Sequence, residues 1–252
     1  MSSILPTKTE RPSTNPQDYF WMFYGVPGVG KTTLAMGFNN PILLLSGDKS
    51  SHITGAKKEL NSWKEYEKVI GALCTEKNEF ETVVIDTVDA LFKLACVDVT
   101  KVKNVEHILD VGYGKGLDLA AAKVISSIYT LREKGFCVVI ISHQSYETIK
   151  TVGAEYSKIM STTPKQLRSG LLAMLDFIGN VDYADKLERT RVATFGGSRN
   201  IEAKARNVKG YIEVPDEFDI TDSDGNEIGY QTLLSHFKKE EVKQKGTIKN
   251  AA

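Results

Sequence analysis

Short apolar runs, separated by more polar segments, organise the first half of the chain. They lie at 20–24, 41–45, 82–86 and 136–142. The runs are almost entirely apolar rather than alternating, which is typical of strands buried on both faces of a parallel sheet. Helices are predicted between them, around 57–73, 87–98 and 116–134. This alternation of strands and helices predicts an α/β fold whose sheet is covered on both faces.

The second half of the chain has a different pattern. A polar segment over 144–166 predicts a long mobile loop, and a helix is predicted to follow at 165–174. Three further short runs predict antiparallel strands added at one edge of the sheet; they lie at 177–183, 189–195 and 211–214. The acidic segment 216–229 contains the turn signal Asp224-Gly225, which predicts a hairpin.

Both ends of the chain differ from the middle. Residues 1–17 are polar and interrupted by prolines, which predicts a flexible arm. From about residue 237 the sequence is rich in Lys and Glu, which predicts a frayed or disordered tail over 237–252. We therefore expect one α/β domain over 18–236.

The composition is that of a globular protein, and its charge excludes two classes of function. Of the 252 residues 41% are hydrophobic, and 32 Lys and Arg balance 32 Asp and Glu. This balance excludes a globally basic nucleic-acid coat and an acidic disordered chain. Three cysteines cannot form a closed set of disulfides, and no apolar segment approaches the ~18 residues of a membrane span. We expect a reduced, cytoplasmic protein without a membrane partner.

A glycine-rich motif follows the first predicted strand. Residues 25–32 match the phosphate-binding pattern G-x-x-x-x-G-K-[ST], and a helix is predicted directly after them. Glycines let backbone N–H groups turn inward around phosphate oxygens, while Lys31 would reach the β- and γ-phosphates and Thr32 would hold Mg²⁺. The predicted nucleotide-binding residues are Gly25, Val26, Pro27, Gly28, Val29, Gly30, Lys31, Thr32 and Thr33. The alternative is a glycine-rich turn with a solvated lysine, which the strand–turn–helix context disfavours.

Asp86 ends an apolar strand, where P-loop proteins carry a second metal-binding residue. We expect it to hold Mg²⁺ together with Thr32. The alternative is that Asp86 caps the helix beginning near Val88. The next residue is Thr87 rather than Glu, so the base that activates water should lie elsewhere.

In combination, these motifs resemble the RecA/DnaB/RadA-like ATPase superfamily, and more closely the phage-encoded AAA-domain recombinases of the Sak group. The resemblance covers about residues 18–214. Beyond the P-loop it rests on four segments in order, at 83–87, 110–116, 140–144 and 202–206. It implies a RecA-like α/β fold with a mainly parallel sheet flanked by helices, antiparallel edge strands, and Mg·ATP at the carboxyl ends of the strands.

The resemblance also implies catalytic roles outside the P-loop. Asp48 follows the second strand, at the position of the family's water-activating carboxylate, and Asp89 is a weaker candidate for that role. The alternative for Asp48 is an ordinary loop residue. His143 and Gln144 end the fourth strand, where the family carries its γ-phosphate sensor, although a local structural role for the histidine is the alternative.

Lys204 and Arg206 resemble the K-x-R pair that RadA- and DnaB-like ATPases insert into a neighbour's nucleotide site. Residues two apart on a strand share a face, so both cations could approach one phosphate, as an arginine finger does. This role would require a homo-oligomer with ATP at the subunit interface. Arg199 is the second choice, and two solvated cations on an edge strand are the alternative.

Single-stranded DNA is the partner that the resemblance implies, bound by the segment after the fourth strand. The expected contacts are Lys150, Lys158, Lys165 and Arg168, with nearby tyrosines for base stacking. The stretch 101–116 is a weaker candidate, and a single-strand binding protein is a further expected partner. Calcium and zinc sites are not expected, because the ligands are missing or too scattered.

The resulting expectation is a Mg²⁺-dependent ATPase that acts on single-stranded DNA in phage recombination, annealing or replication, in the host cytoplasm. One alternative is a KaiC-like nucleotide-gated regulator that acts on protein partners without DNA. A replicative helicase motor is disfavoured, since about 19 residues precede the first strand. ATP binding without hydrolysis is a further alternative, because Asp48 is not Glu.

Overall fold

A computed structural model describes residues 11–47, 52–151, 153–184 and 190–237. The described residues form ten strands and six α-helices. The strands are β1 (Trp21–Gly25), β2 (Pro41–Ser46), β3 (Ala56–Leu60), β4 (Thr82–Asp86), β5 (Cys137–Thr151), β6 (Ala154–Ser161), β7 (Phe177–Tyr183), β8 (Arg191–Thr194), β9 (Lys204–Ala205) and β10 (Glu217–Asp219). The helices are α1 (Lys31–Met36), α2 (Trp63–Thr75), α3 (Val88–Lys103), α4 (Lys115–Glu133), α5 (Lys165–Met174) and α6 (Gly229–Ser235).

The main sheet has the strand order β10-β8-β7-β1-β5-β4-β2-β3. All neighbouring pairs from β7 to β3 are parallel. At the other edge β8 pairs with β7 and β10 pairs with β8, and both of these pairs are antiparallel. β9 also pairs with β7, and β6 pairs with the outer half of β5. This mainly parallel α/β architecture with antiparallel edge strands confirms the predicted fold class.

Both faces of the central strands are buried, which explains their nearly continuous apolar sequence. Along β1, Met22 and Tyr24 pack into the core that α2 to α5 cover. Trp21 and Phe23 pack into the opposite core, which contains residues of α1 and α6. Trp21 stacks on Phe177 of the neighbouring strand at a centroid distance of 4.2 Å. The two cores together fix β1, and with it the start of the P-loop.

The segment predicted as a helix over 57–73 contains a strand instead of its first turn. β3 occupies 56–60 and pairs with β2, and α2 begins only at Trp63 after the N-cap Ser62. The Ser62 side chain accepts a hydrogen bond from the Glu65 backbone N–H at 3.3 Å. Four of the five β3 residues are exposed, so the strand carries no apolar run that could reveal it.

The prediction of a mobile loop over 144–166 is wrong. β5 continues beyond the sheet to Thr151 and forms a β-hairpin with β6, which we call the β5–β6 hairpin (144–161). Gly153 adopts a positive φ of 90° at its turn. The sequence did not reveal the hairpin strands because polar residues interrupt both the outer half of β5 and β6, and neither of these stretches carries a continuous apolar run.

The other departures lie at the sheet edge. The expected strand at 211–214 is reduced to isolated bridges at Ile212, and β10 at 217–219 pairs with β8 instead. Along the part of the chain that the structure describes, no helix combines the length and apolarity needed to cross a bilayer. Most of the expected arm and all of the tail beyond Phe237 lie outside the described residues.

Candidate nucleotide site

The P-loop connects β1 to α1 at the carboxyl end of the sheet. A Cβ atom on Gly25 would overlap the carbonyl oxygen of Val181, so only glycine allows the two strands to pair here. Gly30 precedes α1 as its N-cap with a φ of 97°, in the left-handed region that favours glycine. The nine predicted nucleotide-binding residues, 25–33, therefore form a strand–loop–helix turn in the context that the motif requires.

Lys31 is almost fully buried beneath this loop, with 6% of its surface exposed. Its Nζ donates hydrogen bonds to the carbonyl oxygens of Gly25, at 3.1 Å, and Val26, at 2.7 Å. Burial lowers the pKa of the Lys31 amine, and the nearby Asp86 carboxylate partly opposes that shift. The loop thus holds a cation at its centre, which suits a phosphate ligand.

Asp86 lies next to Thr32, as a shared metal site requires. The Thr32 hydroxyl donates to the Asp86 carboxylate at 2.7 Å. The alternative role of Asp86 as a helix cap is wrong, because Thr87 caps α3 by accepting a hydrogen bond from the Ala90 N–H at 3.3 Å. Within the described ranges no three His, Cys, Asp or Glu side chains cluster as a metal cage. One hydroxyl and one carboxylate fit Mg²⁺, which usually takes few protein ligands beside phosphates and water.

A cleft runs from the P-loop along the ends of β2, β4 and β5. His143 and Asp86 line both of its halves, and Asp89 lines the half farther from the P-loop. Two hydroxyls hold the Asp89 carboxylate, donated by Ser142 at 2.8 Å and Thr162 at 2.9 Å. Asp89 is thus positioned beside the cleft, whereas the other candidate base, Asp48, lies outside the described residues.

Only one of the two predicted sensor residues lines this cleft. His143 and Gln144 are consecutive residues on β5, so their side chains leave the strand on opposite faces. The Gln144 amide is engaged elsewhere, because it accepts from Asn180 at 3.1 Å and donates to the Tyr146 hydroxyl at 3.2 Å. Of the two residues, His143 is the one that lines the cleft beside the P-loop.

Comparison with known proteins gives a family for the chain. Residues 18–207 match a protein family described as AAA domain. The chain belongs to this AAA domain family. It is also similar to the SPbeta prophage-derived uncharacterized protein YorG of Bacillus subtilis (strain 168), with 31% identity over 126 residues. That alignment covers 48% of this chain and 39% of YorG. The family indicates a nucleotide-binding ATPase.

The structure does not present the K-x-R pair of this AAA domain as free cations. Lys204 donates to the carbonyl oxygens at the end of α5, Leu172 at 3.4 Å and Leu175 at 2.5 Å. Arg206 pairs at 2.9 Å with the buried carboxylate of Asp176. These contacts stabilise the carboxyl end of α5 and the start of β7. The arginine-finger role of the pair stays a prediction. Arg199, the second choice, lies over the ring of Tyr156.

Three of the four expected DNA contacts have acidic neighbours. Lys150 pairs with Glu155 at 3.6 Å, and Lys158 stands opposite Glu147 in the β5–β6 hairpin. Lys165 is exposed at the start of α5. The expectation for Arg168 does not match its surroundings: only 17% of its side chain is exposed, and it forms an ion pair with Glu202 and donates to the Ser161 carbonyl at 3.0 Å. Arg168 is therefore built into the fold.

Arg191 was not anticipated from the sequence as a residue of the cleft. Arg191, the first residue of β8, lines the cleft beside the P-loop and packs on Gly30. Nothing in its sequence context distinguishes it, because the contact depends on how β8 and β7 bring it back to β1. His52 and Ile53 also line this part of the cleft.

Proposed function

We propose that this AAA-domain protein binds Mg·ATP in the cleft and hydrolyses it. The observation that carries the proposal is the Thr32–Asp86 hydrogen bond of 2.7 Å directly beside the P-loop. Thr32 and Asp86 would hold Mg²⁺, which when bound neutralises charge on the β- and γ-phosphate oxygens. Lys31 would transfer its hydrogen bonds from the loop carbonyls to phosphate oxygens, where its charge is better compensated.

The hydrolytic step needs a base and a donor near the terminal phosphate. Asp89 is a suitable base, because Ser142 and Thr162 fix its carboxylate at the edge of the cleft. It would take the proton of the attacking water as that water adds to the γ-phosphorus. His143 would donate a hydrogen bond to the departing phosphate, and ADP would leave from the P-loop.

Separate measurements of ATP binding and ATP hydrolysis distinguish the roles of Lys31 and Asp86. ATP affinity and hydrolysis should be measured with Mg²⁺ and with EDTA for the wild type, Lys31→Ala and Asp86→Asn. We expect Lys31→Ala to lose binding and Asp86→Asn to lose the gain from Mg²⁺. Lys68→Ala, an exposed lysine on α2, is the matched control and should behave as the wild type. Equal binding by all four proteins would overturn the proposal.

We propose further that the protein acts on single-stranded DNA as a homo-oligomer, in recombination, annealing or replication of a phage. The β5–β6 hairpin begins next to His143, so a change at the nucleotide could reach a bound strand. Tyr146 on this hairpin is 66% exposed, and Tyr113 is fully exposed in the stretch 101–116. Exposed rings can stack on bases without sequence preference. A single-strand binding protein would be a natural companion of such an activity.

The test is turnover with and without single-stranded DNA at several protein concentrations. We expect stimulation that rises with protein concentration and falls in Tyr146→Ala. Tyr129→Ala on α4, 48% exposed, is the matched control and should keep the stimulation. Stimulation that is absent, or that both variants lose equally, would contradict the DNA proposal.

One observation favours a second candidate, a nucleotide-gated regulator of a protein partner. The hairpin's lysines, Lys150 and Lys158, each stand opposite a glutamate. A balanced surface of this kind suits a protein partner better than a phosphate backbone. This candidate predicts ATP turnover that is indifferent to DNA in every variant above.

A further inference from the structure

Arg191 lies against the P-loop but is held by a residue of the acidic segment 216–229, which folds back on itself through a bridge between Thr221 and Glu227. Its Nη1 donates to the Glu227 carboxylate at 2.8 Å. The same Nη1 lies 2.9 Å from the position that a Cβ on Gly30 would occupy, so the guanidinium rests directly on the loop backbone. With 27% of its side chain exposed, Arg191 faces the cleft that Lys31 and Thr32 line.

The hydrogen bonding of Arg191 is incomplete. Its Nε is buried and has no hydrogen-bond partner among the described residues. A buried donor without a partner costs free energy, so the position beside Glu227 leaves the hydrogen-bonding capacity of the guanidinium partly unused. A guanidinium presents its donors in a planar fork, which suits phosphate oxygens.

Backbone hydrogen bonds connect Arg191 to the acidic segment that carries Glu227. The Arg191 N–H donates to the Thr221 hydroxyl at 2.9 Å, and its carbonyl accepts from the Ile220 N–H at 2.8 Å. Thr221 pairs with Glu227 across this segment. The carboxylate is therefore anchored beside the cation, where it would compete with an anionic ligand.

We propose that Arg191 is a second phosphate-binding cation of the nucleotide site, acting within the same chain, and that Glu227 restrains it. Bound phosphate draws the guanidinium away from the Glu227 carboxylate, so this ion pair weakens nucleotide binding. The proposal rests on nucleotide binding in the P-loop cleft and adds to it a specific contact and a specific competitor.

Affinities for ATP and for inorganic tripolyphosphate test the proposal in Arg191→Gln, Glu227→Gln and the double variant. We expect Arg191→Gln to weaken both ligands about tenfold, the scale of one charge-assisted contact. Glu227→Gln should tighten both about three- to tenfold, and only while Arg191 is present. A gain in affinity cannot come from misfolding, so this variant keeps the test decisive even if Arg191→Gln folds poorly.

Several outcomes would overturn the proposal. Loss of ATP but not tripolyphosphate affinity in Arg191→Gln would place the arginine at the base or ribose. Unchanged or weaker nucleotide binding by Glu227→Gln would show that Glu227 does not restrain Arg191. An equal gain in affinity in the double variant would show the same. Lys31→Ala separates the two proposals: if it loses ATP while Arg191→Gln binds normally, only the role of Arg191 fails. If Lys31→Ala also binds normally, the nucleotide site itself fails.

Discussion

Removal of Arg168 is expected to destabilise the protein rather than to weaken a DNA contact. Its side chain is 17% exposed and its partner Glu202 is 12% exposed, so the ion pair is largely desolvated. Substitution by Met would keep much of the volume and leave the Glu202 carboxylate buried with fewer donors. Ser161 still donates to that carboxylate, through its N–H and its hydroxyl at 3.3 Å each.

These contacts determine how much stability the substitution is expected to cost. Removing one partner of a buried ion pair costs about 3–5 kcal/mol of stability. Because the Ser161 donors remain, we expect Arg168→Met to cost about 3 kcal/mol, the lower end of this range. For a domain of this size a loss of that order lowers Tm by roughly 6–12 °C. Arg168→Met in a Glu202→Gln background should cost less, because no unpaired charge is left behind.

Urea unfolding and thermal melts of Arg168→Met, Glu202→Gln and the double variant measure this loss of stability. Lys165→Ala is the matched control, since it removes an exposed cation from the same helix and should change stability by no more than about 0.5 kcal/mol. Unchanged stability of Arg168→Met together with weaker binding of single-stranded DNA would refute this reasoning. It would return Arg168 to the predicted DNA interface.

Three further variants, two single and one double, test the site. Gly25→Ala should cost at least about 1–3 kcal/mol and abolish nucleotide binding, because its methyl group would overlap the Val181 carbonyl; urea unfolding and ATP titration measure both effects. Asp89→Asn should slow ATP turnover about 10²- to 10⁴-fold with unchanged ATP affinity, as measured by initial rates and titration. Lys204→Ala with Arg206→Ala should lower Tm but keep the turnover per folded molecule, since both cations serve contacts within the chain.

Each of these predictions has a control or a contradicting result. Gly71→Ala on α2 adds a methyl group with no atom within 4 Å and should be neutral or slightly stabilising. Full turnover in Asp89→Asn would move the base elsewhere, with Asp48 as the next candidate. A folded double variant of Lys204 and Arg206 that binds ATP without hydrolysing it would support the arginine-finger role.

Local sequence was sufficient for the P-loop and for most of the sheet. Residues 25–32 carry their conformation in their own glycines, and the neighbouring apolar runs identify strands that are buried on both faces. The helices α4 and α5 lie within a residue or two of their expected bounds. The exposed strand β3 and the partly buried strand β6 were not recognised, because neither carries a continuous apolar run.

The roles of the charged side chains were decided by the tertiary structure. A sequence shows that a cation is present but not which carboxylate faces it after folding. Arg168 meets Glu202 34 residues away, and Arg191 meets Glu227 36 residues away. These pairings place Arg168, an expected DNA contact, in an ion pair within the fold and place an unanticipated arginine beside the P-loop. The nucleotide motif follows from local backbone chemistry, whereas the partners of the charges depend on long-range packing that only the folded chain defines.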